Sequence, residues 1–290
     1  MRKTLTGLAW VSPWLIGGVA FTLVPMAMSL YYSFTDYSLL EPPMWVGTKN
    51  YTRMLDDPRF LLSVKNTVIF ALVFIPLATA VSLVLAALLA GKLRFSRFFQ
   101  GAVFIPTLVP LVASAMVWSW LFNGEYGLVN KALGWLGIAG PNWLIDKNWG
   151  MAALVLMSLW SIGQGVVVYI AALQDVPEQL YEAARLDGMG PAGRFFRVTL
   201  PMISPVILFN VIVLTINTIQ IFAQPYIMFR TKDGQNDAGL FYTMHLYDNA
   251  FVYQQMGYAS AMAWLQLVVV LVLTGVMFVA SKRLVHYRAG

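Results

Sequence analysis

Residues 175–201 read DVPEQLYEAARLDGMGPAGRFFRVTLP, and this charged stretch separates two long apolar ones. It holds four acids and three arginines, whereas only 11% of the 290 residues in the chain are charged. A soluble domain usually has about 25% charged residues. The adjoining windows 148–174 and 198–229 contain no Asp, Glu, Lys or Arg. This contrast indicates a hydrophilic segment between two helices that cross a lipid bilayer.

Six charge-free windows occur along the chain, each longer than the ~20 residues that a helix needs to cross a bilayer. They cover 4–35, 66–91, 98–124, 148–174, 198–229 and 249–281. The next longest, 132–145, is too short to span and is interrupted by glycines. The sequence therefore predicts an all-α integral membrane protein with six transmembrane helices in one domain, 1–290. The predicted spans are about 8–34, 67–90, 101–122, 150–173, 203–224 and 259–281.

Basic residues are unevenly distributed between the two sides that six spans create. Segments 1–7, 91–100, 175–201 and 282–290 hold 11 Lys and Arg residues in 53 positions, and the opposite side holds 8 in 92. Cytoplasmic loops carry the excess of Lys and Arg in membrane proteins. Both termini and the segment 175–201 are therefore predicted to be cytoplasmic. The same asymmetry explains the net charge of +6 without a nucleic-acid partner.

The charged segment itself carries helix signals. Asp175 followed by Glu178 predicts a capping box at the start of a short helix, and Gly188 predicts its C-terminal cap. A second short helix is expected after Gly190. The first helix would present a small apolar stripe formed by Val176, Leu180, Ala183 and Ala184. On these grounds alone, the segment is either a docking site for a partner or an ordinary loop that caps its neighbouring helices.

The segment resembles the EAA loop of the permease subunits of binding-protein-dependent ABC importers. The family pattern is Glu-Ala-Ala, three residues, Gly, nine residues, then Ile-x-Leu-Pro. Here it reads Glu182-Ala183-Ala184, Gly188 and Val198-Thr199-Leu200-Pro201, with Val in place of Ile. Other stretches resemble the sugar permeases of the maltose, glycerol-3-phosphate and disaccharide type: VGTKNY (46–51), DDPRF (56–60), FIPTLVP (104–110), YIAALQDVPEQLYEAA (169–184) and MGYASAMA (256–263). The stretch 229–240 departs from that pattern, because it lacks the usual Gly-Gly-Pro.

The resemblance implies a half-channel in the cytoplasmic membrane of a bacterium or archaeon. Its implied partners are a second homologous permease, two cytoplasmic ATP-binding subunits, an extracytoplasmic solute-binding protein and a sugar. The residues implied in coupling to the ATPase are Glu182, Ala183, Ala184, Asp187, Gly188, Leu200 and Pro201. The chain has no G-x-x-x-x-G-K-[ST] motif, so ATP hydrolysis is expected in a separate subunit. No catalytic residue, cofactor or metal is expected in this chain.

Amide side chains on the fifth predicted span indicate a route for the solute. Asn210, Asn217, Gln220 and Gln224 are spaced to share one helical face. Amides donate and accept hydrogen bonds and suit hydroxyl-rich solutes, although they also join helices to one another in membranes. The fourth span adds Trp160, Ser161 and Gln164. The resemblance to maltose-type permeases implies solute contacts near Thr107, Trp160, Ser161, Gln164, Asn217 and Gln220.

Two other classes of protein fit the sequence less well. A stand-alone secondary transporter or channel that moves protons normally needs ionisable groups at membrane depth, and the six windows contain no Asp, Glu, Lys or Arg. Sodium bound to backbone carbonyls leaves this alternative open. An intramembrane enzyme is disfavoured, because the chain has neither H-E-x-x-H nor G-x-S-x-G. Its two histidines, His245 and His286, are expected to be solvated.

Overall fold

A computed structural model describes residues 2–91, 94–146, 148–231, 234–235 and 237–284. The chain is mainly helical. Its helices are α1 Arg2–Gly18, α2 Val24–Ser33, α3 Lys49–Asp56, α4 Pro58–Ala90, α5 Ser96–Phe104, α6 Leu111–Leu121, α7 Leu128–Trp135, α8 Gly150–Trp160, α9 Gly163–Gln174, α10 Glu178–Leu186, α11 Pro191–Arg194, α12 Leu200–Met202, α13 Ser204–Ile219, α14 Ala223–Phe229, α15 Tyr242–Tyr247 and α16 Met256–Leu284.

Shorter elements join these helices. Turns of π-helix cover Val19–Leu23, Phe195–Thr199 and Asp248–Val252, and 3-10 turns cover Ile105–Leu108 and Asp237–Gly239. Two antiparallel pairs of two-residue strands are also present, β1 Thr35–Asp36 with β2 Met44–Trp45 and β3 Arg230–Thr231 with β4 Gly234–Gln235. Thr35 lies opposite Trp45 in the first pair, and Arg230 lies opposite Gln235 in the second. These hairpins were not expected from an all-α prediction.

Three helical segments are long and apolar enough to cross a membrane on their own: Trp10–Ser33, Pro58–Ala90 and Met256–Lys282. Three further spans result if each of three bent helix pairs counts as one. These pairs are Ser96–Leu108 with Leu111–Leu121, Gly150–Trp160 with Gly163–Gln174, and Pro191–Met202 with Ser204–Ile219, bent by 98°, 48° and 68°. By length and composition, the described residues therefore supply between three and six spans.

The helix bounds correct two of the predicted spans. The span predicted at 67–90 is helical from Pro58. The charge-free window used for the prediction begins only after Lys65, whereas the helix already contains that lysine. The span predicted at 203–224 ends at Ile219, and α14 is a separate helix. Pro225 lies in the first turn of α14, where the missing N–H of proline leaves no helical hydrogen bond unmade.

Prolines also break the span predicted at 101–122. Helix α5 ends at Phe104, a 3-10 turn contains Pro106, and α6 begins only after Pro110. Val109 is extended, with φ −73° and ψ 128°, because a residue that precedes proline is disfavoured in the helical region. The sequence predicted a continuous helix that carries both prolines, and the structure replaces it with two helices.

The described residues form two compact units. The first comprises 1–61 and 245–269, and a buried amide organises it. Asn50 Nδ2 donates to the carbonyl oxygens of Ser33 at 3.0 Å and Thr35 at 2.8 Å, which fixes α3 against the end of α2 and β1. The backbone N–H of Gly257 donates to the carbonyl of Tyr37 at 3.1 Å. The region 36–66, predicted as a loop, is therefore largely structured.

Among the described residues, the second unit comprises those within 62–244 and 270–284. Helix α14 packs against α6, and the centre of the unit is a cluster of fully buried side chains that includes Phe70, Phe122, Leu154, Phe229 and Phe241. A smaller cluster is formed by Ala86, Leu89, Val166, Tyr169 and Ile170. Asn66 Nδ2 donates to the carbonyl oxygens of Asp237 at 2.7 Å and Leu240 at 3.0 Å. These bonds hold the segment after β4 against α4.

Candidate solute cavity and coupling segment

A cavity of ≈ 660 Å³ lies in the second unit, where the helix pairs α8–α9 and α13–α14 are broken. Helix α4 forms a further wall. The polar side chains that line it are Thr79, Ser82, Ser158, Ser161, Gln164, Asn210, Asn217, Thr218, Gln220 and Gln224. Broken spans leave backbone and side-chain polar groups available inside a membrane protein, where they line cavities. The breaks therefore account for a polar cavity among apolar helices.

The break between α8 and α9 has a local cause. A side chain at Gly163 would overlap the backbone carbonyl oxygen of Val103, so glycine allows α9 to approach α5 closely. Two residues before Gly163, the Ser161 hydroxyl donates to the Ser158 carbonyl at 3.1 Å. This local hydrogen bond competes with the backbone hydrogen bonds of the helix. The result is a bend of 48° at Ser161–Ile162, with Gln164 in the first turn of the second helix.

Most of the predicted solute-pathway residues come together in this cavity. Ser161, Gln164, Asn210, Asn217 and Gln220 all line it, and so does Gln224, although Gln224 lies on α14 rather than on the same helix. The Asn210 amide also donates to the Val206 carbonyl of its own helix at 3.1 Å. Their shared location is a structural result, and their role in solute binding stays a prediction.

Thr107 and Trp160 lie outside the described lining of the cavity. The Thr107 hydroxyl donates to the Phe104 carbonyl at 2.7 Å, within the 3-10 turn. The Trp160 ring packs edge-on against Trp118, with the ring centroids 6.0 Å apart. Thr107 was predicted through the family resemblance alone, and Trp160 also through its position beside Ser161 and Gln164; here each residue contacts its own neighbours.

Sequence reasoning missed two hydroxyls in the cavity wall. Thr79 Oγ1 and Ser158 Oγ are buried and have no hydrogen-bond partner among the described residues. A lone Ser or Thr in an apolar helix carries little signal, because its hydroxyl usually bonds to a carbonyl one turn earlier. Thr215 and Thr218 do so on α13, at 2.7 Å and 2.6 Å. Only the tertiary structure separates the satisfied hydroxyls from the unsatisfied ones.

The charged segment forms the short helix α10. It begins at Glu178 after Pro177 and has no side-chain cap, while Asp175 ends the preceding helix α9. The predicted N-cap at Asp175 is therefore wrong, because Pro177, with φ −58° and ψ 131°, occupies the N-cap position of α10. The predicted cap at Gly188 is confirmed. Gly188 has φ +73°, its N–H donates to the Arg185 carbonyl, and the Met189 N–H donates to the Ala184 carbonyl, which is a Schellman motif.

The faces of α10 differ from the predicted stripe. Val176 precedes the helix and is buried, and Ala184 is only 3% exposed, whereas Glu182 and Ala183 face outwards. Leu186 is 90% exposed and lies one turn after Glu182 on the same face. Sequence reasoning missed it, since a single leucine beside charges is common. Asp187 follows as the exposed C-terminal cap residue of α10.

One hydrogen bond fixes α10 to the chain that returns towards α13. The hydroxyls of Tyr181 and Thr199 lie 2.9 Å apart, and Thr199 is buried. Thr199 directly precedes Leu200 and Pro201, which form the start of α12. The implied coupling residues thus belong to one connected substructure made of α10, the π-turn Phe195–Thr199 and α12.

His245 contradicts the expectation of a solvated histidine. It is 3% exposed, and its Nε2 lies 3.3 Å from Asp57 Oδ2 within the first unit. His286 lies outside the described residues. In the part of the chain that the structure describes, no group of three or more His, Asp or Glu side chains is arranged to hold a metal ion.

Helices apolar enough to cross a membrane surround a polar cavity, and comparison with known proteins gives the family of this chain. The model of the binding-protein-dependent transport system inner membrane components matches residues 78–286. The chain belongs to this family, whose members are ABC transporter permeases.

Two relatives and one solved structure illustrate the similarity. The probable ABC transporter permease protein YesP of Bacillus subtilis is 35% identical over 291 residues, covering 99% of this chain and 94% of YesP. The sulfoquinovosyl glycerol transport system permease protein SmoG of Agrobacterium fabrum is 37% identical over 244 residues, covering 82% of this chain and 78% of SmoG. A chain in the crystal structure of a bacterial alginate ABC transporter, in complex with an alginate pentasaccharide-bound periplasmic protein, has the same fold, with a TM-score of 0.87, 20% identity and coverage of 97% and 96%.

Proposed function

We propose that this chain is the permease subunit of an ATP-driven importer for a sugar or sugar-like solute in a bacterial or archaeal membrane. The observation that carries the proposal is the cavity lined by five uncharged amides and several hydroxyls, where helices α8–α9 and α13–α14 are interrupted. Transporters bind solutes near the bilayer midplane at discontinuous helices of this kind. The carbohydrate transport named for SmoG and for the alginate transporter supports a carbohydrate solute here.

The chain would form half of the channel, and a second homologous permease would supply the other half. Asn217 and Gln220 are exposed towards the cavity and offer donors and acceptors for solute hydroxyls. An extracytoplasmic solute-binding protein would deliver the solute. Ser161, Gln164 and Asn210 line the same cavity and would add further donors and acceptors.

Energy would enter through the segment 175–201. Helix α10 presents the charge of Glu182 beside the exposed side chain of Leu186, and a water-soluble ATPase can dock on this combination of charge and apolar surface. Two cytoplasmic ATP-binding subunits would serve the two permeases. The hydrogen bond between Tyr181 and Thr199 would transmit movement of α10 to α12 and α13, which carries the cavity amides.

The amides can be tested by Asn217→Leu and Gln220→Leu in the importer reconstituted in proteoliposomes with its ATPase and binding protein. Each change removes hydrogen bonds to the solute without adding charge, so we expect ATP-driven uptake to fall at least about tenfold, the equivalent of one or two hydrogen bonds. Thr215→Val is the matched control, because that hydroxyl lies on the same helix and bonds only to the Val211 carbonyl.

Unchanged uptake in both leucine variants, with assembly intact, would return the amides to the role of helix contacts. Uptake driven by an ion gradient in vesicles that hold this chain alone would favour the stand-alone secondary transporter instead.

A further inference from the structure

We infer that the loop between α6 and α8 inserts into the lipid bilayer, with the side chains of Trp135, Leu136 and Ile138 among the lipids. We call these three side chains the apolar cap. The distribution of basic residues predicts that this loop is extracytoplasmic, so the cap would enter the outer leaflet. The inference goes beyond the proposed function, because it depends neither on the solute nor on the ATPase.

The exposure of the apolar cap is the first observation. Trp135 is 88% exposed, Leu136 is 75% exposed and Ile138 is 52% exposed. The surrounding sequence, 132–145, contains no charged residue. Single exposed apolar side chains are common on soluble proteins, whereas contiguous apolar patches mark contacts with another protein or with a membrane. We therefore expect another surface to cover the cap.

A hydrogen-bond network holds the loop closed beneath the cap. Asn130 Nδ2 donates to the carbonyl oxygens of Gly124 at 3.1 Å and Pro141 at 3.0 Å. The indole N–H of Trp143 donates to Asn130 Oδ1 at 2.7 Å. A side chain at Gly140 would overlap the Asn130 amide, so the chain passes directly over that amide. One buried side of the loop is thus tied to a single residue of α7.

The same loop is anchored to the core of the second unit. The buried Trp143 ring packs against Phe122, with the ring centroids 5.3 Å apart. Helix α7 ends in a Schellman motif at Gly137, which has φ +74°, and the Ile138 N–H donates to the Leu133 carbonyl at 3.0 Å. The cap is therefore exposed because a folded scaffold turns it outwards.

The cap also lies next to the end of a predicted span. Helix α7 packs against α6, and only residues 122–127 separate the two helices. On α6, the apolar side chains of Met116, Val117 and Trp120 are at least half exposed. Because α6 belongs to a pair of helices apolar enough to cross a membrane, such side chains face lipid or another membrane helix. The apolar surface of the span thus reaches the point where the loop begins.

The chemistry of the cap favours lipid over a partner in water. Tryptophan is enriched at the membrane–water interface, because its indole has an apolar body and a polar N–H. Lys131 is exposed one turn before Trp135 on the same face of α7. A lysine there can reach a lipid phosphate while its apolar stem stays beside the acyl chains. With eight residues, α7 is too short to cross the bilayer, so it would lie in the interface.

The test measures the depth of single fluorescent labels in the complete importer, reconstituted in liposomes with partner subunits freed of cysteine. This chain contains no cysteine, so Leu136→Cys and Ile138→Cys each provide one site for a bimane label. One quencher is iodide in the water, and the other is phosphatidylcholine with a doxyl group near the top of its acyl chain.

We expect the doxyl lipid to quench both labels, because the apolar face of an interfacial segment lies about 5–10 Å into the boundary between headgroups and acyl chains. Glu125→Cys is the matched control, since this charged residue is exposed in the same loop. Relative to that control, the iodide quenching constant should be at least about fivefold lower at positions 136 and 138, as expected for burial at this depth. Co-purification of the partner subunits confirms that each labelled variant assembles.

Three results would overturn the inference. Iodide quenching at positions 136 and 138 as strong as at position 125 would place the cap in water. If that quenching disappeared when the solute-loaded binding protein was added, the cap would be a contact for that protein. Protection from both quenchers without the binding protein would place the cap against another subunit of the importer. All three leave the proposed function standing, because solute transport is measured separately.

Discussion

Asp57 binds residues from three helical segments of the first unit through a single carboxylate. Its Oδ1 accepts the backbone N–H groups of Arg59 at 2.9 Å and Phe60 at 3.3 Å, so it caps α4, with Pro58 at the first helical position. Its Oδ2 accepts the Tyr258 hydroxyl at 2.9 Å and lies beside His245.

Asp57→Ala should lower the free energy of unfolding by about 2 kcal/mol, because it removes a helix cap and leaves a buried hydroxyl without its acceptor. Thermal unfolding of the purified chain in detergent measures this change. Asp56→Ala is the control, since that carboxylate is adjacent in sequence and exposed. An equal loss in both variants would contradict the role given to Asp57.

Burial lowers the pKa of His245, and the hydrogen bond to Asp57 offsets the effect only in part. Asp57 and Asp248 favour the charged imidazole and Arg59 opposes it, while Arg53 lies over the Tyr258 ring nearby. The pKa of Asp57 is also lowered: burial raises it, but the hydrogen bonds from Tyr258, Phe60 and His245 outweigh that effect.

A lowered histidine pKa means that the unfolded chain binds more protons at mildly acidic pH, so stability should fall as the pH drops below about 6.5. Glutamine does not titrate in this pH range, so His245→Gln should reduce the loss of stability on acidification. The measurement is the melting temperature at pH 7.5 and pH 5.5 for both proteins. A wild-type melting temperature that rises on acidification would show that the imidazolium is the favoured form in the folded state.

At the scale of elements, the shape of α10 depends on the left-handed backbone of Gly188. A side chain there would meet no atom within 4 Å, so any substitution effect is conformational rather than steric. Gly188→Val should cost roughly 1–2 kcal/mol in this region of the backbone and disturb the end of the helix. We therefore expect loss of ATPase co-purification and of solute-stimulated ATP hydrolysis, with a milder loss for Glu182→Lys.

Gly190→Val is the matched control for the cap. Gly190 also has open space around it, but its φ of −69° and ψ of 169° suit a residue that precedes proline. The same substitution two residues away should therefore leave coupling intact. Wild-type ATPase binding and hydrolysis in the Gly188 variant would assign the segment 175–201 to an ordinary capping loop.

At the scale of the whole molecule, the distribution of basic residues predicts which side of the membrane each loop occupies. The cysteine-free chain allows single thiols to report this directly. The native Leu40 and Leu186 side chains are 82% and 90% exposed. The thiols of Leu40→Cys and Leu186→Cys should therefore react freely with a maleimide.

In spheroplasts, a membrane-impermeant maleimide should label position 40 directly and position 186 only after detergent permeabilisation. Labelling of position 186 from outside, or of both positions alike, would invalidate the orientation and the predicted number of spans between them.

The sequence alone determined that this is a helical membrane protein, because the length of an apolar window and the cost of burying charge are local properties of the chain. It also located Gly188, since a left-handed cap is set by neighbouring residues. The same reasoning grouped Asn210, Asn217 and Gln220 on one helical face.

Tertiary structure decided the rest. The helix break at Ser161 depends on the close approach of Gly163 to Val103, and the breaks bring amides from separate helices to one cavity. The contact between the buried His245 and the half-buried Asp57 joins residues 188 positions apart. Whether Thr79 or Ser158 finds a hydrogen-bond partner depends on packing around each hydroxyl. Such contacts bring together residues distant in the chain, so their spacing in the sequence carries no signal of them.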